Sequence, residues 1–211
     1  TLGPNDAMRL SRAPGCETEF TINGGTVCVT NQSLNLAEDI AGAKGTLNLN
    51  GGRLVARTIY KDGLGTGEVN FNGGVFEPTQ NGSAFTNLSA NVLAGGAAFD
   101  VSADVTYTVA APLAGVGGVT KTGAGVLVLS SSANTYAGET VVSGGVLRIT
   151  GGETLPSSVT VATGATLSFQ VPEAGQTVGG ITLTAGGSLY LNASAAAYAT
   201  GAVHVAGDLA L

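Results

Sequence analysis

Two carboxylates, Asp100 and Asp104, are the residues whose type and spacing could best do chemistry in this chain of 211 residues. Paired carboxylates act as general acid and base in enzymes that cleave polysaccharides. The alternation of the surrounding residues predicts that both lie on one strand face, with Ser102 between them. The alternative is a polar row on a solvated strand, which we favour because no Lys or Arg is near in the sequence. We predict no catalytic residue and keep the two aspartates as weak surface-site candidates.

Other kinds of site find little support in the residue types. His204 is the only histidine, and the chain has no G-x-S-x-G nucleophile signature. The glycine-rich stretch at 63–69 lacks the Lys-Ser/Thr pair of a phosphate-binding loop. The sequence also lacks the ligand clusters of zinc sites and the acidic loops of calcium sites. We expect no enzyme activity, no metal and no cofactor.

Cys16 and Cys28 are the only cysteines of the chain. Such a pair predicts a disulfide in an oxidising compartment, and the alternative is two free thiols. The bond would fasten the segment before the first strand to the outside of the fold. It would thereby help to cover an open sheet edge.

The composition predicts a packed fold and excludes two classes of partner. Hydrophobic residues make up 44% and charged residues 10% of the chain, the opposite of a disordered acidic segment. The net charge is −6 and the eight Lys and Arg are scattered, so we expect no nucleic-acid binding. No apolar run approaches the roughly 20 residues of a membrane-spanning helix, so we expect no membrane insertion by this segment.

Short polar corners separate stretches of alternating apolar residues along the chain. Asn-Gly-Gly and Gly-Gly sequences permit the positive φ that a sharp corner needs. Asn side chains that recur at one corner could also form amide ladders between turns. The predicted structural turn residues are Asn23, Gly24, Gly25, Asn50, Gly51, Gly52, Asn72, Gly73, Gly74, Gly144 and Gly145.

The corners recur with a period of about 23 residues, which is the signature of a solenoid. In a solenoid each turn satisfies its strand edges only when the next turn stacks on it. We therefore predict an all-β fold, a parallel β-helix (β-solenoid) of about nine turns of about 23 residues. The alternatives are an antiparallel sandwich and a propeller, whose blade needs about 40 residues. The anchor residues of the turns are Gly25, Gly52, Gly74, Gly96, Gly125, Gly145, Ala165, Gly187 and Gly207.

The period also divides the chain. Residues 1–19 are predicted to be an N-terminal cap or linker segment, and residues 20–211 the β-helix. The chain begins at Thr1 without Met, so we expect it to be part of a longer protein. The two longest anchor spacings predict insertions at Gln32–Lys44 and Asp104–Val116, where a binding site would be expected.

One segment, residues 118–150, carries a recognisable pattern. It opens with G-x-x-K-x-G-x-G-x-L-x-L, continues with ANTYAGET and closes with V-x-x-G-x-L-R. This closely resembles the autotransporter-associated β-strand repeat, also called the passenger-associated transport repeat. The matching residues are Lys121, Thr122, Gly123, Gly125, Leu127, Leu129, Asn134, Thr135, Tyr136, Gly138, Thr140, Gly144, Gly145, Leu147 and Arg148.

The resemblance implies a right-handed β-helical passenger of a bacterial secreted or surface-displayed protein, in which the repeat is associated with export and is not a catalytic motif. We therefore expect a structural rod or scaffold, with a role as an adhesin, located outside the cell or on the bacterial surface. The expected partners are a glycan, a host or cell-surface ligand, or a second copy joined end to end. The alternatives are a polysaccharide-active enzyme on a β-helix and a self-assembling extracellular module.

Overall fold

The chain winds as a right-handed parallel β-helix, which confirms the predicted fold class. The computed structural model describes residues 7–29, 32–85, 87–150, 154–171, 176–193, 203–205 and 208–210. All strand pairs among these residues are parallel, and about eight turns stack with a spacing of about 22 residues. This is close to the nine turns of about 23 residues that the corner period predicts. No helix in the described ranges is long and apolar enough to cross a membrane.

Each of the first six turns contributes three strands, and successive turns stack into four sheets. Sheet A contains β1 (Ala7–Ser11), β4 (Ser33–Ala37) and β7 (Ile59–Tyr60). Sheet B contains β2 (Glu17–Ile22), β5 (Lys44–Leu49), β8 (Thr66–Phe71), β11 (Ser89–Val92), β14 (Leu113–Gly115) and β17 (Thr135–Tyr136).

Sheet C runs along most of the helix, whereas sheet D takes the position of sheet A from the fourth turn onward. Sheet C contains β3 (Thr26–Val29), β6 (Arg53–Ala56), β9 (Val75–Pro78), β12 (Ala97–Asp100), β15 (Val119–Thr122), β18 (Thr140–Val142), β20 (Thr154–Val161), β22 (Gln176–Leu183), β24 (Val203–Val205) and β25 (Leu209–Ala210). Sheet D contains β10 (Gly82–Ala84), β13 (Thr106–Val109), β16 (Val126–Leu129), β19 (Val146–Thr150), β21 (Thr166–Val171) and β23 (Ser188–Ala193).

The three Asn-Gly-Gly sequences lie at the corner between sheets B and C. Gly73 has φ 92° there, a backbone conformation that side chains other than hydrogen rarely permit. A Cβ atom on Gly74 would lie 2.5 Å from the Cβ of Leu49 in the turn below, so close stacking also requires glycine. Asn50 donates its amide to Asn23 Oδ1 at 3.1 Å, while Asn72 Oδ1 accepts from the backbone N–H of Gly95 at 2.9 Å. Amides therefore join consecutive corners, partly side chain to side chain and partly side chain to backbone.

Equivalent inward residues of successive turns stack into apolar columns. On sheet C one such column runs through Leu54, Phe76, Phe99, Lys121 and Val142, with a single polar member. Phe99 and Val101 are both fully buried, and Phe99 stays in register with Phe76 and Lys121 of the adjacent turns. The core contains a cluster of four phenylalanines and one tyrosine, namely Phe71, Phe76, Phe85, Phe99 and Tyr107.

The predicted anchors belong to two different corners. Gly96 precedes β12 in sheet C, and the register of β12 on β15 makes Gly118 its equivalent in the next turn. Gly125 instead precedes β16 in sheet D. The predicted insertion at Asp104–Val116 is therefore wrong, because this interval holds the regular strands β13 and β14. The last predicted anchor, Gly207, lies outside the described residues.

The interval Gln32–Lys44 is longer than its equivalents but is also built into the stack. It holds β4 and ends where β5 begins, with a short connection of residues 38–43 between the two strands. Within the predicted N-terminal segment, β1 pairs with β4, and β2 begins at Glu17 and pairs with β5. Residues 7–19 thus form part of the first turn.

Candidate functional site

The structure separates the two candidate aspartates. Asp100 is the last residue of β12, whereas Asp104 lies exposed in the following corner with φ 63°. The predicted shared strand face is wrong because the strand ends before the chain reaches Asp104. Asp carries positive φ more readily than most residues, so a corner role explains its position there.

Asp100 is instead held by a residue of another turn. Its Oδ2 accepts from Arg53 Nη1 at 2.8 Å, and the same nitrogen donates to Glu77, which stacks between them. The hydrogen bond to Asp100, despite partial burial, raises the pKa of Arg53, so the guanidinium remains charged. Arg53 is 47 positions from Asp100, and no local pattern in the sequence announces their contact. The cluster is a ladder of two carboxylates that share one guanidinium on the outer face of sheet C.

Replacing Arg53 by Gln is expected to cost about 1 kcal/mol of unfolding free energy or less. Its side chain is 35% exposed, so solvent screens both ion pairs. Urea denaturation at low and high salt measures this, and the small difference should shrink further at about 1 M salt. Arg12→Gln, at a 64% exposed side chain, is the matched control. A loss of several kcal/mol would contradict the assignment of the ladder to the surface.

The two cysteines are free thiols in the structure, so the predicted disulfide is absent from it. Cys16 precedes β2 and Cys28 lies on β3, which leaves the six residues of β2 and a corner between them. Six strand residues span about 20 Å, whereas a disulfide needs Cα atoms within about 7 Å. Cys16 Sγ lies 3.6 Å from Thr18 Oγ1, and hydrogen bonds from Thr18 and Ser11 lower the pKa of this thiol.

Both thiols are expected to react with iodoacetamide in the folded protein without prior reduction. Cys28 is exposed and Cys16 is half-buried with a stabilised thiolate, and the thiolate is the reactive form. Mass spectrometry should find two added carbamidomethyl groups, and one in Cys28→Ser. Recovery of a peptide pair joined through Cys16 and Cys28 before reduction would overturn the assignment of free thiols.

Lys121 is a charged side chain that lies in the core, because the alternation of residues on β15 points it inward. It is fully buried between Phe99 and Val142 of the adjacent turns. Its Nζ donates to the carbonyls of Thr122 at 2.6 Å, Gly123 at 2.9 Å and Gly144 at 3.2 Å. Burial lowers the pKa of Lys121 to about 8, and the charge of Asp100 opposes this shift in part. The ammonium thus ties together the sheet C–sheet D corners of two successive turns.

Three further residues of the same segment close the next corners from inside. Asn134 Oδ1 accepts from the backbone N–H of Leu113 at 2.8 Å, and its amide donates to Ser131 O at 3.1 Å. The hydroxyls of Tyr136 and Thr140 are 2.7 Å apart and both side chains are fully buried. A buried polar group is tolerated when it is bonded in this way.

The arrangement around Lys121, Asn134 and Tyr136 positions backbone rather than a ligand, because their polar atoms bond inside the helix to groups of the same turn and of adjacent turns. The sequence held a signal for the burial of Lys121, since it alternates with the apolar Val119 on β15. Among the residues that the structure describes, no group of three or more His, Cys, Asp or Glu side chains could hold a metal ion.

Comparison with known proteins bears on the same segment. The model of a family described as the passenger-associated-transport-repeat matches residues 119–149. No curated protein and no solved structure matches the chain. The matched residues contain Lys121, Asn134, Tyr136 and Thr140, so the buried corner-closing side chains are part of the repeat.

Proposed function

We propose that this chain, a β-helix repeat protein of the autotransporter-passenger type, is a non-enzymatic rod in a bacterial secreted or surface-displayed protein. The observation that carries the proposal is the inward bonding of the repeat. Lys121 and Asn134 bond to backbone atoms of their own turn and of an adjacent turn, and the hydroxyl of Tyr136 bonds to that of Thr140, all inside the helix. A repeat built in this way serves stacking and rigidity.

The mechanism is mechanical. Each turn has its strand edges paired only by the turns on either side, so stability accumulates as turns are added. A chain that leaves a narrow export pore can therefore fold one turn after another, without waiting for distant segments. The passenger repeat provides a turn whose corners are bonded from within, on which neighbouring turns can stack.

The outward strand faces would carry the contacts of the rod, and adhesion is part of this proposal. The partners we propose are a glycan or another molecule on a host or cell surface, and a second copy stacked end to end. A second copy stacked on the first turn would cover the inward residues Phe20, Val27 and Val29, which are only partly buried. Light scattering over a range of concentrations tests it, since end-to-end stacking would give a rising and heterogeneous mass.

The polysaccharide-active alternative has less support. It depended on a paired carboxylate site, and Asp100 is bonded to Arg53 while Asp104 lies at a corner. Neither carboxylate is presented to a common cleft in the described part of the chain.

Export is tested by placing the chain, with an N-terminal epitope tag, between a signal peptide and the export domain of an autotransporter. We expect antibody to label the tag on intact bacteria. The matched variants are Tyr136→Ala, which removes a corner bond of the repeat, and Leu64→Ala at an exposed side chain. Labelling only after lysis, for the unmodified chain, would contradict the proposal.

A further inference from the structure

The third face of the β-helix is interrupted between the third and fourth turns. Sheet A ends at β7 and sheet D begins at β10, and these two strands do not pair in either sheet. Two bonds replace the ladder there. Phe85 N–H donates to Ile59 O at 2.9 Å, and Thr58 Oγ1 donates to Ser83 O at 2.6 Å. The stack is thus held together while the outer surface departs from a regular sheet.

An open groove of about 520 Å³ lies over this interruption, a size in the range of small-ligand sites. It is lined by Ser33, Thr58, Tyr60, Asp62, Ser83 and Asn87. A second depression of about 290 Å³ shares Asn87 and continues past Ala110 and Pro112 of the fifth turn. The two together follow the helix axis across four turns, from Ser33 of the second turn to Pro112 of the fifth.

The chemistry of the groove is polar and close to neutral. Hydroxyls of Ser33, Thr58 and Ser83 and the amide of Asn87 surround the half-buried ring of Tyr60. Lys61 and Asp62 also line the groove with opposite charges. An aromatic face flanked by hydroxyl, amide and carboxylate groups suits a ligand with apolar ring faces and many hydroxyls.

The groove is held in place by bonds beneath and around it. Asn35 is fully buried and donates its amide to Asp62 Oδ2 at 2.6 Å, which fixes that carboxylate. On one side, the backbone N–H of Leu64 donates to Asp39 Oδ1 at 2.6 Å. On the other, Phe85 and Asn87 have φ of 61° and 59°, rare values for residues other than glycine. Side chains held in this way lose little freedom when a ligand binds.

We propose that this groove binds a short neutral oligosaccharide, with one sugar ring against Tyr60 and its hydroxyls bonded to Asp62, Ser83 and Asn87. The inference rests on the adhesive part of the proposed function and names the class of ligand. A neutral sugar is favoured over an anionic one because Lys61 is matched by Asp62 and also donates to Gly63 O. The groove can bind sugar whether or not the chain is exported.

The test uses the purified chain and a fixed panel of trisaccharides. The neutral members are maltotriose, cellotriose, xylotriose and tri-N-acetylchitotriose, and trigalacturonate is the anionic member. Saturation-transfer NMR and calorimetry are expected to detect binding of at least one neutral member, with a dissociation constant of about 10 mM or below. Tyr60→Ala should raise the dissociation constant about tenfold or more, and Asn87→Ala should raise it by a smaller factor.

Tyr190→Ala is the matched control, because Tyr190 is 56% exposed on β23 in another part of the helix. It should bind as the unmodified chain does, and circular dichroism should show all three variants folded. The proposal is overturned if no neutral member binds, if Tyr60→Ala binds undiminished, or if trigalacturonate binds more tightly. Antibody labelling of the tag on intact bacteria that carry the Tyr60→Ala chain shows whether export still occurs. A failure to bind sugar can therefore be told apart from a failure of export.

Discussion

Phe99→Ala is expected to lower the free energy of unfolding by about 3–5 kcal/mol, the largest effect of any single substitution considered. Phe99 is fully buried, with its ring centroid 5.4 Å from that of Phe71 and 6.2 Å from that of Phe85. The neighbouring rings are fixed by their own turns and cannot collapse into the vacated space. The loss therefore combines transfer of the phenyl group with a residual cavity.

Urea denaturation followed by circular dichroism measures this effect. Leu64→Ala is the control, since Leu64 is 69% exposed and its truncation should stay within about 0.5 kcal/mol. Phe99→Leu retains part of the volume and should fall between the two. A cost below about 1 kcal/mol for Phe99→Ala would show that the aromatic cluster is not packed as described.

The stability of the protein is expected to rise with pH through the titration of Lys121. Its pKa in the folded chain is about 8, below the ordinary value of 10.5. Between these values the unfolded chain binds more protons than the folded chain, so raising the pH favours folding. Below about pH 8 both states carry the proton and the cost of the buried charge is complete. The full difference is about 3 kcal/mol, of which about 2 kcal/mol should appear between pH 7 and 9.5.

Lys121→Met isolates this contribution. The free energy of unfolding of the unmodified chain, minus that of the variant, should increase by about 2 kcal/mol from pH 7 to 9.5. The subtraction is needed because burial raises the pKa of Tyr60 and of Tyr107, and such tyrosines oppose the trend once their unfolded forms ionise near pH 10. If Lys121→Met is poorly folded, Lys121→Arg replaces it as the reference. Its side chain stays charged, so residue 121 should then add no pH dependence to the free energy of unfolding. A difference that does not change with pH would mean that the ammonium is solvated.

Much of the architecture could be predicted from short-range sequence patterns. Alternation of apolar residues identifies strands, and the Asn-Gly-Gly sequences at Asn23, Asn50 and Asn72 identify corners, because both are properties of residues next to one another. Their recurrence identifies stacking. The resemblance of residues 118–150 to a passenger repeat is also local.

The corner of the helix to which each glycine belongs was harder to predict. Gly96 and Gly125 look alike in sequence but occupy different corners, since glycine pairs serve more than one corner of the helix. Reading them as equivalent produced an insertion at Asp104–Val116 that does not exist. The pairing of Cys16 with Cys28 failed similarly, because closeness along the chain does not give closeness across a strand.

By itself, then, the sequence determined the strands, the corners, the period and the class of fold. Only the tertiary structure decided which side chains meet: Arg53 with Asp100, Lys121 with the Gly144 corner, and the groove around Tyr60. The physical reason is that a β-helix brings together residues about 22 positions apart. Which of them meet depends on the summed lengths of the intervening strands and corners, so an error of one corner moves every later contact.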